Sequence, residues 1–233
     1  MTTGADKPLE SGLSKAVDCH TMSSLPVADA VGVETKRAIR VLGLDPAAAG
    51  PTGYGVVETD GRRCKMLDYG AFRVDTKRQK ECAGAALHDI HSLICELIQK
   101  FEPAVMAVES IFSALNVRTA LRLAEVRGVV LLAAAQHGVT VFSYSPREVK
   151  ASVAGYGHAD KRQIQLMVRA LLSLSEMPEP ADAADALAVA LCHIQADQAR
   201  VRFGISAAHT AARPRVKATR RNDRETPVSV AGI

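Results

Sequence analysis

The sequence has no tryptophan and few aromatics of any kind, 4% of 233 residues. Each Phe and Tyr is therefore worth asking about singly. Its five cysteines (Cys19, Cys64, Cys82, Cys95 and Cys192) show no C-x-x-C spacing. That argues against a thiolate metal site or a disulfide framework and suits a reducing compartment. No apolar run reaches the ~18 residues of a membrane span, and the N-terminus lacks a long apolar signal region. The expectation is a soluble, cytoplasmic protein with no membrane partner. An excess of one sign of charge is also lacking, since 29 Lys and Arg face 25 Asp and Glu and the net value is only +4. Its distribution says more: Arg202, Arg213, Arg215, Lys217, Arg220, Arg221 and Arg224 crowd the C-terminal end, opposed only by Asp223 and Glu225. Such a stretch favours polyanions, and a solvated tail explains it equally well.

What is present is one domain's worth of patterned chain, with a hydrophobic fraction of 48%. Residues 1–37 have weak periodicity and read as a flexible extension, 38–199 as the folded domain, and 200–233 as a basic, disordered tail. Ile39–Leu44 is a β-prone run that stops at Asp45-Pro46. Tyr54–Glu58, the turn signal Asp60-Gly61 and Cys64–Val74 complete an antiparallel meander. Ala83, Leu87, Ile90, Ile94, Leu97 and Phe101 have helical spacing, and Pro103 ends that helix. Strand 104–108, a helix over 116–137, strand 140–144, a short helix from Pro146, another from about Lys161 and a last one over 182–197 follow. The order implies an α/β fold: a mixed five-stranded central sheet with helices on both faces.

The acids fall at informative places. Asp45 and Glu109 end strands, at the carboxyl edge where α/β sheets place ligands. Asp182 and Asp185 stand i, i+3 in the first turn of the last helix and share a face. Taken singly, each has an ordinary explanation: a turn before proline, a solvated strand end, a helix cap, a favourable helix dipole. Taken together, four carboxylates at one sheet edge would repel unless a divalent cation sat among them. Mg²⁺ accepts one or two carboxylates plus water and phosphate oxygens, and two ions roughly 4 Å apart can drive an in-line phosphodiester displacement.

The stretches Leu42-Gly-Leu-Asp-Pro46, Thr52-Gly-Tyr-Gly-Val-Val57, Ala107-Val-Glu-Ser-Ile-Phe112 with Asn116, Arg127-Gly128, Arg147-Glu-Val-Lys150 and Ala181-Asp-Ala-Ala-Asp-Ala-Leu-Ala188 give the chain a specific likeness. In this order and spacing they resemble the RuvC-type Holliday-junction resolvases of the RNase H-like superfamily, over about 40–196. The resemblance implies that Asp45, Glu109, Asp182 and Asp185 are catalytic, metal-binding acids holding two Mg²⁺, with Mn²⁺ able to substitute. It implies a homodimer that nicks opposing strands of four-way junction DNA in recombination and repair, beside a RuvA–RuvB branch-migration motor. It makes Phe112 an aromatic that stacks on an unpaired base. It turns Lys161 and Lys150 toward the DNA near the cleaved phosphate, Lys161 with a catalytic role, and Arg118 and Arg122 are candidate backbone contacts.

The chain departs from the family at Ala47, where glycine is usual, and its loop 47–51 is one residue longer; Gly50 is expected to restore the lost backbone freedom. Two other readings stand beside this one. A non-catalytic junction-binding module would keep the fold and lose the chemistry. An ATPase-like nucleotide binder would need a second glycine-rich phosphate loop and a duplicated domain, and the sequence has neither.

Overall fold

Alternation along the first strand decides which way every later element faces. A computed structural model describes residues 38–47, 50–73, 84–110 and 116–204, all within the compact unit Thr35–Ile233. Strand β1 (Ile39–Asp45) lies at the centre of a five-stranded sheet ordered β3-β2-β1-β4-β5, where β2 is Thr52–Thr59, β3 Cys64–Phe72, β4 Val105–Glu109 and β5 Thr140–Tyr144. The first three strands are antiparallel neighbours; β1, β4 and β5 run parallel. At the β2–β3 turn Asp60 accepts the backbone N–H groups of Arg62 and Arg63, each at 2.7 Å, and Gly61 takes the left-handed φ of 89°.

Successive side chains of a strand point to opposite faces. Leu42, Leu44, Val56, Met106 and Val108 face helices α1 (Ala85–Phe101) and α2 (Val117–Gln136) in one buried core. Val41, Val57, Ala107, Phe142 and Tyr144 face α3 (Pro146–Ala154), α4 (Lys161–Leu171) and α5 (Ala181–Phe203) in the other. Helix α1 shows the expected one-sided pattern, burying Ile90, Ile94, Leu97 and Ile98. Its forecast first residue, Ala83, lies outside the described residues.

Helix α5 is different. It is buried on nearly every side from Ala183 to Ile194, between the sheet and α3 and α4, which explains its lack of an apolar stripe. It also runs on past Asp197 to Phe203, with Arg200 and Arg202 in the last turn favoured by the helix dipole and Gly204 closing it at φ 64°.

Three glycines bring α5 onto the sheet. A Cβ at Gly43 would overlap the carbonyl oxygen of Ala186 and come 2.8 Å from the Ala190 nitrogen. One at Gly53 would overlap the carbonyl of Asp182, and one at Gly55 would press on the Leu187 side chain. Gly43 pairs with Gly55 across β1–β2, and Asp45 with Gly53. The bare backbone patch thus continues to the strand end where Asp45 stands.

Among the described residues no helix is long and apolar enough to cross a membrane.

Candidate active site

Parity and the parallel pairing of β1 with β4 together fix the first two acids. Asp45 shares its face with Val41 and Gly43, and Glu109 shares its face with Ala107, so both carboxylates emerge under α5 at neighbouring strand ends. The glycine patch sets the first turn of α5 against the same edge and delivers Asp182 and Asp185. One carboxylate oxygen from each of Asp45, Asp182 and Asp185 lies within 4.8 Å of the other two. Glu109 joins them through a side-chain hydrogen bond with Asp45.

The electrostatics are those of acids held together with too little positive charge. Burial pushes the Asp45 carboxyl up to about 9, helped by its hydrogen bond to Glu109 and the charges of Glu109, Asp185 and Asp182. Glu109 is also raised, chiefly by burial; the hydrogen bond with Asp45 works the other way, as expected when Asp45 carries the shared proton. Asp185 is raised by burial and held back by Lys161.

Lys161 is the nearest compensating cation. It opens α4, where Asp160 and Gln163 form a reciprocal cap, and its Nζ stands 3.0 Å from Asp185 Oδ2 and 4.0 Å from Asp182 Oδ1. Burial pulls its pKa down, but the bond to Asp185 and the charges of Asp182 and Asp45 outweigh this and leave it raised. Lys161 is therefore charged at neutral pH.

A cavity of about 190 Å³ opens beside the acids, lined by Glu109, Lys150, Lys161 and Asp185 with Pro146 and Val149. The two ammonium groups of Lys161 and Lys150 do not balance four carboxyl groups, and every candidate ligand atom is an oxygen. That donor set fits a hard divalent cation of the Mg²⁺ or Mn²⁺ kind and offers nothing for a thiophilic metal.

The remaining sequence candidates separate. Lys150 lies at the cavity. Arg118 and Arg122 are exposed on α2, outside the residues that line it. Phe112 lies outside the described residues, as do Ala48 and Ala49 of the loop after Asp45. Gly50 corrects an expectation: it has no left-handed φ, and a Cβ there would meet only the Ala47 Cβ at an ordinary 3.6 Å. Its backbone therefore does not call for glycine.

His193 is not a ligand. It is buried, its Nδ1 is 2.8 Å from the Tyr144 hydroxyl, it packs on Phe142, and burial takes its pKa down to about 4. Tyr54 packs beside the sheet on the opposite face. Sequence reasoning missed the three glycines under α5; their signal was alternation, since Gly43, Gly53 and Gly55 all occupy the face of Asp45.

Comparison with known proteins agrees with this geometry. Residues 41–193 match the family model for crossover junction endodeoxyribonuclease RuvC. The protein of that name from Caldicellulosiruptor saccharolyticus is 45% identical over 67% of this chain and 92% of its own. The one from Chloroflexus aggregans is 44% identical over 72% of this chain and 100% of its own. Thermus thermophilus RuvC, solved in complex with a Holliday junction substrate, superposes with a TM-score of 0.65 at 35% identity, covering 69% of this chain and 96% of that one. The yeast mitochondrial Holliday junction resolvase Ydc2 shares the fold, with a TM-score of 0.52 at 15% identity over 71% of this chain and 81% of its own. The five-stranded mixed sheet with helices on both faces is thus the RNase H-like arrangement. On the match of its folded residues and the extent of these likenesses, the chain belongs to the crossover junction endodeoxyribonuclease RuvC family.

Proposed function

We propose that this protein is a metal-dependent endonuclease that resolves four-way DNA junctions by paired nicks in opposing strands. The observation that carries the reading is the convergence of Asp45, Asp182 and Asp185 within 4.8 Å, with Glu109 bonded to Asp45. Asp45, Glu109, Asp182 and Asp185 would hold the metal, two Mg²⁺ ions or Mn²⁺ in their place. Bound there, such ions would activate a water and stabilise the leaving oxygen of an in-line displacement.

The chain's own groups do the rest. Asp45 must give up its proton to become a ligand, so cation affinity rises with pH. Lys161, charged and only partly covered, holds Asp185 in place and presents its ammonium where a scissile phosphate would gather charge. Lys150 at the cavity and Arg118 and Arg122 on α2 are placed in this reading along the phosphate backbone, where they position the substrate without reading sequence. Phe112 takes the role of stacking on an unpaired base at the crossover.

The reading includes a homodimer. On α2, Val117, Leu121, Ala124, Gly128, Leu131, Leu132 and Ala135 form an apolar stripe facing away from buried Val126, Val130, Ala133 and Ala134. Val117 is 76% exposed and Leu121 61%, and a Cβ at Gly128 would meet nothing within 4 Å. A long apolar stripe with small residues at its middle suits a second copy of the same helix about a two-fold axis. Two equivalent sites then face two equivalent phosphates of the junction. Leu121→Glu is expected to shift the protein to monomer in sedimentation and to abolish paired nicking. A dimer that survives the substitution would remove this face from the interface. Family membership supports a RuvA–RuvB motor as the working partner.

The test of function is a synthetic four-way junction with and without Mg²⁺. Paired, metal-dependent nicks are expected, lost in chelator and restored by Mg²⁺ or Mn²⁺. Binding without cutting in either metal would leave a non-catalytic junction-binding protein.

A further inference from the structure

The loop between α3 and α4 is built to hold an aromatic ring outside the protein. Gly155 ends α3 at φ 85°, a left-handed turn that favours glycine. Four residues on, Ala159 is 1% exposed and plugs into the core shared by α3, α4 and α5. Tyr156, between these anchors, is 48% exposed. It is nonetheless tied down: its hydroxyl donates to Gln163 Oε1 at 2.5 Å. The same oxygen accepts the Asp160 N–H at 2.9 Å, and the Asp160 carboxylate accepts the Gln163 N–H at 2.8 Å. Tyr156 is thereby fastened to the first turn of α4, the turn that carries Lys161 to Asp185.

The other half of the loop is fixed as firmly. A Cβ at Gly157 would lie 3.3 Å from the Arg147 carbonyl oxygen and 3.5 Å from its Cγ, so the loop rests on Arg147. His158 Nε2 is 3.0 Å from Arg147 Nη2, which in neutral histidine makes the ring the acceptor. Both are exposed, and the bond leaves the guanidinium with further N–H groups toward solvent. Pro146 and Lys161, next in sequence to Arg147 and Asp160, line the cavity beside the acids. Nearby Asp160 and Glu148 are occupied as helix caps. A ring held in one position by its hydroxyl has little conformational freedom left to lose when a flat partner stacks on it. Arg147 lies under the same loop, Lys161 and Arg162 stand in the helical turn to which Tyr156 is bonded, and Lys150 lines the adjoining cavity, so a group with negative charge and a flat apolar face suits the surface.

We propose that Tyr156 and Arg147 grip the DNA strand beside the scissile phosphate, Tyr156 by stacking on a nucleobase and Arg147 by bonding a phosphate oxygen. The proposal rests on the nuclease reading above but is tested by binding, so the two can fail separately. The full chain carrying Asp45→Asn, which should not cut, is titrated with four-way junctions bearing a single abasic site at each position near the crossover.

Tyr156→Ala is expected to weaken binding to the intact junction roughly tenfold. At one abasic position the loss should disappear, because the base that Tyr156 covers is already missing. Tyr156→Phe keeps the ring and should retain most of the affinity. Arg147→Gln should lower the slope of log affinity against log salt by about one. Unchanged binding by Tyr156→Ala, or an equal loss at every abasic position, overturns the stacking assignment. An unchanged salt slope overturns the phosphate contact. Absence of cutting by the unaltered protein with binding losses as stated would sink the nuclease reading and leave the grip standing.

Discussion

Asp45→Asn is expected to cut a four-way junction at least about 10³-fold more slowly than the unaltered protein, a loss of about 4 kcal/mol of transition-state stabilisation. The same variant is expected to be the more stable protein in chelator. Asn keeps the shape of Asp45 and can donate an amide N–H to Glu109, replacing the shared proton. It also removes a group whose charged form is opposed by burial and by Glu109, Asp185 and Asp182. The sign of the pH dependence follows from the direction of that shift. With a folded value of about 9 and an unfolded value of about 4, folded Asp45 binds more protons than the unfolded chain between the two. Stability of the metal-free protein therefore falls as pH rises through that window. Melting temperatures in chelator at pH 5.5 and 8.5 should differ more for the unaltered protein than for Asp45→Asn. Some slope should persist in the variant, because Glu109 and Asp185 are raised as well. Added Mg²⁺ should stabilise the unaltered protein more than the variant. Equal slopes together with undiminished cutting would remove Asp45 from the site.

Much of this arrangement was legible because strands and amphipathic helices report themselves by period. The runs ending at Asp45 and Glu109 and the 3.6-residue pattern of α1 needed no tertiary information. The meeting of the acids did. Nothing in the local sequence says that β1 pairs with β4 and not only with β2, and the parallel pairing is what sets Asp45 beside Glu109. Helix α5 was harder still. Its fully buried stretch ends at Ile194 and most of the last two turns is exposed, so no buried face marked the extension to Phe203, although Gly204 stood as a stop. The loop after Asp45 invited the opposite error. Gly50 looked like the residue that frees the chain, yet its backbone adopts no conformation that calls for glycine. Alternating glycines in β1 and β2 are weak strand formers, and only their stacking against α5 explains them.

Those glycines lead to the second large effect, which separates position from stability. Gly43→Ala and Gly53→Ala add the same methyl group to the same face of the sheet, and each would overlap a backbone carbonyl of α5, Ala186 in one case and Asp182 in the other. Neither obstacle is a flexible side chain, so the helix itself must move. At Gly43 the added atom also meets Ala190 in the fully buried middle of α5, where overpacking typically costs about 1–3 kcal/mol. Gly43→Ala is expected to lower the melting temperature by several degrees. At Gly53 the obstacle is the first turn, which has less core around it and can tilt away. Tilting carries off Asp182 and Asp185, and a misplacement of about 1 Å can cost about 10²-fold in rate. Gly53→Ala is therefore expected to lose about two orders of magnitude in junction cutting for a smaller fall in melting temperature, and to need more Mg²⁺ for half-maximal rate. If Gly53→Ala cuts at the normal rate, the first turn of α5 is not held by contact with β2, and another contact must set the spacing of Asp182 and Asp185 from Asp45.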